Sequence, residues 1–465
     1  MPARLSLTTD GHGLTRITQR ESGQAGKWAG ENLGIPPSHF PTFPPAVFSE
    51  SVSIRVHPWF NCLVAALVIS FAGIASAEDW PVWRGPRLDG TSAERNIPIH
   101  WSATSNIVWG TELPGAGHAS PIVWRDRIFT VSALSQNQAR VLLCLDRKNG
   151  RILWQQTVIS SPMERKHSLN SHASSTPATD GRLVYVAFLD RAEMVVAAYD
   201  FDGKQRWLVR PGPFSSMHGF CSSPILHQEK VIVNGDHDGD SYIVALDRAT
   251  GKTLWKVPRE SKTRSYCVPL LRELAGRTQM VLSGDKCVAS YDPNDGSRHW
   301  VIDGPTEQFV ASPVYSDKAG LLFVTGGFPD HHILAIKPDG KGDITKSDKI
   351  VWRTNRGVAY VPSPIAEGDY FLVVSDSGVA HCFEAKSGNL MWQERMGEHH
   401  ASLVSANGLV YFLNDNGVLN VVRPGPEFVR VAQNEIGEKT FASPAISQGQ
   451  IFLRGDKHLF CIGNP

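Results

Sequence analysis

The sequence predicts an all-β fold: an eight-bladed β-propeller of four-stranded antiparallel blades, its ring closed by an N-terminal strand that completes the last blade. Three observations lead to it. The chain of 465 residues repeats itself, and self-similarity at a period of about 45 residues marks a repeat architecture. Its apolar residues fall in short alternating or continuous runs, with no helical period sustained beyond a turn or two. Its 41 Gly and 30 Pro are spread without a low-complexity tract, which calls for frequent turns between short strands.

Each unit opens on a small residue and Pro ahead of an apolar run: Ser120-Pro121, Thr176-Pro177, Ser223-Pro224, Val268-Pro269, Ser312-Pro313, Ser363-Pro364, Ser402-Leu403 and Ser443-Pro444. Apolar runs such as Ile128-Phe129-Thr130-Val131 and Val410-Tyr411-Phe412-Leu413 follow, and polar turns such as Thr179-Asp180-Gly181-Arg182 separate strands A and B. A third run then ends in an acidic residue, a Gly-bearing turn follows, and the last strand carries Trp, most clearly in Ala245-Leu246-Asp247-Arg248-Ala249-Thr250-Gly251-Lys252-Thr253-Leu254-Trp255. Its relatives end on Trp154, Trp207, Trp300, Trp352 and Trp392. The seventh copy, Val421 to Val431, has lost the Trp, and the eighth stops at Cys461-Ile462-Gly463. Upstream, Asn106-Ile107-Val108-Trp109-Gly110 reads as a D strand with no blade of its own, so it is expected to finish the eighth blade and remove its free edge. Trp109, Trp154, Trp207, Trp255, Trp300, Trp352 and Trp392 are expected to dock between neighbouring blades, with Gly251 and its equivalents giving the ring room.

Lys+Arg 46 against Asp+Glu 45 leaves no basic run interleaved with aromatics, so nucleic acid is not an expected partner. Residues 55–77 read as a secretory signal: Arg55 and His57 lead into an apolar run from Phe60 to Ile74, and Ala75-Ser76-Ala77 forms a small-residue cleavage pattern before Glu78. That run is short for a membrane span. Cys62 lacks the small residues a lipid-anchored cysteine needs before it, so no lipid anchor is expected. Residues 1–54 show no periodic pattern and are expected to be a disordered or mis-assigned extension, with Val52 the best-placed alternative start. The propeller then spans residues 78–465, exported to the periplasm or cell envelope and monomeric. Cys144, Cys382 and Cys461 share one register of different repeats and are expected as buried small hydrophobes, while Cys221, Cys267 and Cys287 are left open to pairing.

In a propeller the A–B and C–D turns share one face and the B–C and D–A loops the other. Most of the unusual residues fall on the second, which is expected to be the ligand face. Its candidates are His118, His172, His218, Arg264, Tyr266, Arg356, Tyr360, His399 and His400 from D–A loops, with Asp236, Asp238, Asp240 and Arg454 from B–C loops. His167, Asp285, Asp330-His331-His332 and Asp376 lie on the same loops. Asp236, Asp238 and Asp240 alternate as calcium ligands do, but the glycine is misplaced for an EF-hand loop, so a plain hairpin is expected and no metal assigned. No Gly-x-Ser-x-Gly elbow, His-Glu-x-x-His or phosphate loop is present, and no catalytic residue is assigned.

At Ala245 to Trp255 the chain resembles the pyrroloquinoline-quinone (PQQ) repeat proteins, and the likeness runs from about Asp79 to Gly463. Trp80-Pro81-x-Trp83-Arg84-Gly85-Pro86 and Gly342-Asp343-Ile344-Thr345 look like a secreted bacterial PQQ-like subgroup. The resemblance implies two classes. Quinoprotein alcohol or sugar dehydrogenases hold PQQ and Ca2+ in the channel beside a disulfide between adjacent cysteines, which this chain lacks. The second class is similar to the eight-bladed, cofactor-free subunit of the outer-membrane assembly machinery, BamB-like propellers that bind proteins. Length, blade count and export favour an envelope scaffold with a protein partner and no cofactor; a PQQ-dependent oxidoreductase or a small-molecule or glycan binder is the alternative.

Overall fold

The computed structural model describes residues 77–102 and 104–463, together with a short pairing of Thr8–Thr9 with Thr15–Arg16. Contacts divide the chain into two units, Met1–Phe71 and Ala72–Pro465. The extension expected at 1–54 and the signal expected at 55–77 lie outside the described residues except for Ala77 and that short pairing.

The second unit is an eight-bladed propeller of antiparallel four-stranded sheets. The inner strands are Ile122–Trp124, Ala178–Thr179, Ile225–His227, Leu270–Leu274, Val314–Ser316, Ile365–Glu367, Val404–Ala406 and Ala445–Ser447, one per blade in chain order. Their short length follows from the sequence: seven of the eight begin just after the anchor proline, which cannot donate to a ladder, and the seventh begins after Leu403. Strands B and C are buried on both faces between neighbouring blades, which is why they read as near-continuous apolar runs such as Val231-Ile232-Val233. The ring closes as expected. Ile107–Glu112 forms the outer strand of the eighth blade, with Trp109 opposite Cys461 and Glu112 opposite His458.

The register explains the Trp motif. Each docking Trp stands opposite a small residue of strand C: Cys461, Cys144, Ala198, Ala245, Ser290, Ala335 and Cys382 face Trp109, Trp154, Trp207, Trp255, Trp300, Trp352 and Trp392. The three shared-register cysteines are therefore size-matched partners of a ring, and all six described cysteines are free. In the seventh blade Ala432 occupies the Trp register and its partner grows to Val421. Ile97 and Trp101 join the same core cluster there, and the Trp101 amide donates to Asn434 Oδ1 at 2.8 Å.

Six of the seven Trp Nε1 atoms donate to a carbonyl in the next blade's C–D turn, from Trp109 to Arg147 O (2.8 Å) to Trp392 to Gly425 O (3.1 Å). At Gly251 (φ +73°) a Cβ would lie 2.7 Å from the Trp207 ring, so only glycine lets the two blades meet. Trp300 differs, donating to Gln279 Oε1 at 2.9 Å. The longer C–D connection of the fifth blade folds over it, and Gly342–Asp343 adds a parallel strand to the fourth blade opposite Trp300 and Val301. Thus the Gly342-Asp343-Ile344-Thr345 motif is a clasp between blades.

The Trp80-Pro81-x-Trp83-Arg84-Gly85-Pro86 motif begins a strap across the A–B end of the channel. Trp80 pairs with Val123 and Pro81 O accepts from Thr179 in the first two blades. Arg84 Nη2 donates to Pro364 O (2.6 Å) in the sixth, Asp89 pairs with Arg272 (2.8 Å) in the fourth, and Thr91–Ser92 runs parallel to Ser405 and Ala406 in the seventh. Gly85 (φ +75°) leaves space for the buried Trp80 ring, 2.7 Å from where a Cβ would stand.

Candidate functional site

The anchor residues form a hydroxyl ring around the channel. In six of the eight the backbone N–H donates to the hydroxyl of the next blade's anchor: Ser120 to Thr176, Thr176 to Ser223, Val268 to Ser312, Ser312 to Ser363, Ser363 to Ser402 and Ser402 to Ser443, all between 2.9 and 3.0 Å. Among the described residues the ring is broken at two places, where Val268 supplies no hydroxyl to Ser223 and between Ser443 and Ser120. This is the physical reason for the Ser-Pro signature: the serine links blades while the proline starts the inner strand.

Two residues before each anchor, on the same side of the extended backbone, stands the inward-facing position of every blade. It is occupied in order by His118, Ser174, Cys221, Tyr266, Val310, Val361, His400 and Phe441. All eight line a cavity of about 690 Å³ on the loop side of the ring, to which Trp83 of the strap also contributes. The wall is therefore amphiphilic, with Val310 and Val361 on one side and two imidazoles flanking Phe441 on the other. His118 stacks on Phe441 with centroids 4.7 Å apart, and His400 meets it edge-on at 5.3 Å.

The two imidazoles carry opposite electrostatics. Burial, aided by the Arg454 and Lys166 charges, pushes His118 down to about 4, so it is neutral at pH 7. Burial also opposes charge on His400, but its Nδ1 lies 2.7 Å from Asp415 Oδ2, and Asp415 with Asp376 and Glu398 raises its pKa overall. His218 packs edge-on to His167 at 5.7 Å and beside Tyr266, lowered by burial and then by Arg264. Tyr360 Oη donates to Gln308 Oε1 at 3.1 Å, and its amide donates to Asp376 Oδ2 at 2.8 Å.

His118, His218, Tyr266, Tyr360 and His400 are thus brought together from the candidates. The others go elsewhere. Arg454 is buried between the eighth and first blades, donating to Thr130 Oγ1 (2.8 Å), Val131 O (2.5 Å) and Ser132 Oγ (3.0 Å). His399 is fully buried with Nδ1 on Gly397 O, and burial pushes it down to about 4. His172 Nε2 contacts Glu164 O at 2.9 Å within its own loop, and Arg356 is exposed away from the cavity. Asp236, Asp238 and Asp240 do not converge: they pair separately with Arg259 (2.9 Å), Arg264 (2.7 Å) and Lys262 (2.8 Å). Trp83, Phe441, Asp415, Glu398 and Lys439 line the cavity without having been singled out by residue type. Register would have found Phe441, since it sits two residues before Ser443.

Calcium needs six to eight convergent oxygens. Here Asp376 is engaged by the Tyr360 and Val361 amides and Asp415 by His400, and among the described residues no three His, Cys, Asp or Glu stand in metal-holding geometry. The carboxylates lining the cavity, Asp376, Glu398 and Asp415, thus do not converge on one calcium ion. Among the described residues no helix is long and apolar enough to cross a membrane.

The family model described as outer membrane protein assembly factor BamB matches residues 137–394 and 341–425. No curated protein sequence matches the chain. The BamB crystal structure from Moraxella catarrhalis superposes with TM-score 0.54 at 14% identity, covering 77% of this chain and 99% of that one. A europium-containing methanol dehydrogenase gives 0.51 at 11% identity, covering 83% and 98%. Both likenesses concern the fold.

Proposed function

Since the chain belongs to the PQQ-like propeller family described as outer membrane protein assembly factor BamB, we propose that it is an exported envelope propeller that binds a partner protein on its loop-bearing face, without catalysis of its own. One observation carries this. Among the described residues the three most exposed large apolar side chains, Phe328 (54%), Met217 (49%) and Leu169 (47%), all belong to D–A or B–C loops on the cavity side of the ring. Apolar side chains held out to solvent on rigid loops mark an interaction surface. The cavity beside them, walled by Phe441, Tyr266 and two imidazoles, offers an anchor pocket for a partner's side chain.

A photo-reactive residue placed at Met217 or Phe328 should crosslink one envelope protein in cells, identified by mass spectrometry. The same probe at Leu254 or Val429, comparably exposed on outer strands, should not. Equal labelling from all four positions, or none, would refute the loop-face reading. Stoichiometric PQQ and calcium binding with dye reduction would replace it with an oxidoreductase. A small-molecule or glycan ligand is the second reading, favoured because the strap covers one end of the channel and leaves a cup-shaped site; titration with such ligands in the absence of a protein partner tests it.

A further inference from the structure

The strap begins at the residue that signal cleavage would expose. Glu78 N lies 3.0 Å from Glu94 Oε1. The same carboxylate accepts the N–H groups of Gln448 and Gly449 in the A–B turn of the eighth blade. Glu94 is buried at 5% exposure, and its three donors are all backbone amides. A buried carboxylate held only by neutral donors has no cation in contact with it, and the Arg147 guanidinium acts on it only through space.

We propose that Glu94 is the receptor for a new chain terminus: after cleavage between Ala77 and Glu78, the α-ammonium of Glu78 pairs with Glu94 and locks the strap across the channel. This rests on the reading of residues 55–77 as a cleaved signal. Water adds across the Ala77–Glu78 bond under a signal peptidase; Ala77 keeps the carboxylate, and Glu78 keeps the amine, which is protonated below about pH 8. Ala77 is exposed and Glu78 half-buried, so the bond lies at the edge of the folded unit.

The rest of Glu78 is already placed. Its carbonyl accepts Ser447 Oγ at 2.8 Å, and its side chain is clasped by Arg87 at 2.6 and 3.0 Å and by the Ala93 amide. The other charged groups around it are engaged as well: Asp79 accepts the Arg125 amide and Gln448 Nε2, and Arg147 donates to Ser447 O and Gln450 Oε1. Arg147 acts on Glu94 only at a distance, so the new ammonium is the cation placed to contact it. Because Gln448 and Gly449 belong to the last blade, the pair would tie the processed end of the chain to the blade that closes the ring.

The test compares the chain starting at Glu78 with one starting at Ala75, each also carrying Glu94→Gln. At about pH 6.5 the Glu78 chain should unfold a few degrees higher, on the order of 2 °C for about 1 kcal/mol. The gap should vanish in the Glu94→Gln pair. Pairing raises the amine's pKa above its ordinary value near 8, so the gap is fully present below about pH 8 and lost as pH rises through the raised value. Equal midpoints at low pH, or a gap that survives Glu94→Gln or pH above about 10, would overturn the pairing. N-terminal sequencing of the exported chain should find Glu78; another first residue would overturn the cleavage step, a failure separate from that of the ion pair.

Discussion

Ser363 Oγ accepts the backbone N–H of Ser312 from the preceding blade at 2.9 Å. Both residues are buried, so the bond joins two blades where water does not compensate its loss. Ser363→Ala should leave a buried amide unpaired and cost about 1–3 kcal/mol in urea unfolding. Ser120→Ala is the control, because among the described residues no neighbouring amide donates to its hydroxyl, and it should cost less than about 0.5 kcal/mol. Equal losses would show that the ring of hydroxyls adds no blade-to-blade stability.

Removing residues 104–112 should lower the unfolding temperature of the whole propeller in a single transition. The deletion takes away the outer strand of the eighth blade and the Trp109 Nε1 bond to Arg147 O, so it opens the ring and exposes a long edge. Unchanged thermal unfolding would refute closure by this strand.

The seventh blade predicts a coupled pair. Ala432→Trp would restore the repeat but overpack against Val421 and the nearby Trp101, costing about 1–3 kcal/mol. Val421→Ala alone should open a void, yet in the double variant it should recover part of the loss. A double-mutant cycle measures that coupling, and additive effects would show that the two sites do not share space.

Imidazole NMR titration should find His400 above its ordinary value near 6.5 and His118 neutral down to about 4. Asp415→Asn should bring His400 below 6.5, because the burial that opposes its charge remains. The signs for stability are opposite. The His400 pair contributes fully below about pH 6.5 and is lost as pH rises through the folded value. His118 and His399, buried neutral, destabilise the fold as pH falls from about 6.5 toward about 4. A variant with His118→Phe should therefore show a flatter acid limb.

The candidate site was legible only in part, and the reason is directional. Choosing loop residues by chemical type gathered seven cavity residues, His167 and Asp376 among them, but also Arg454, His399 and Asp236, whose side chains turn into contacts between or within blades. Alternation along the inner segment was the stronger signal: counting back two residues from each of the eight anchors picks out eight cavity residues, Phe441 and Cys221 among them.

What the sequence determined by itself was the ring: eight anchors, the Trp strands and the orphan strand at Trp109. Those patterns are local and repeated, so period and spacing specify them before any long-range contact forms. What only the tertiary structure decided was the strap, the clasp at Gly342 and which of the loop side chains outside that register turn into the cavity. Each depends on partners far apart in the chain, such as Arg84 with Pro364 or Trp101 with Asn434, 280 and 333 residues away. No periodicity encodes such pairs, because they exist only once the closing blade brings the two ends of the chain together.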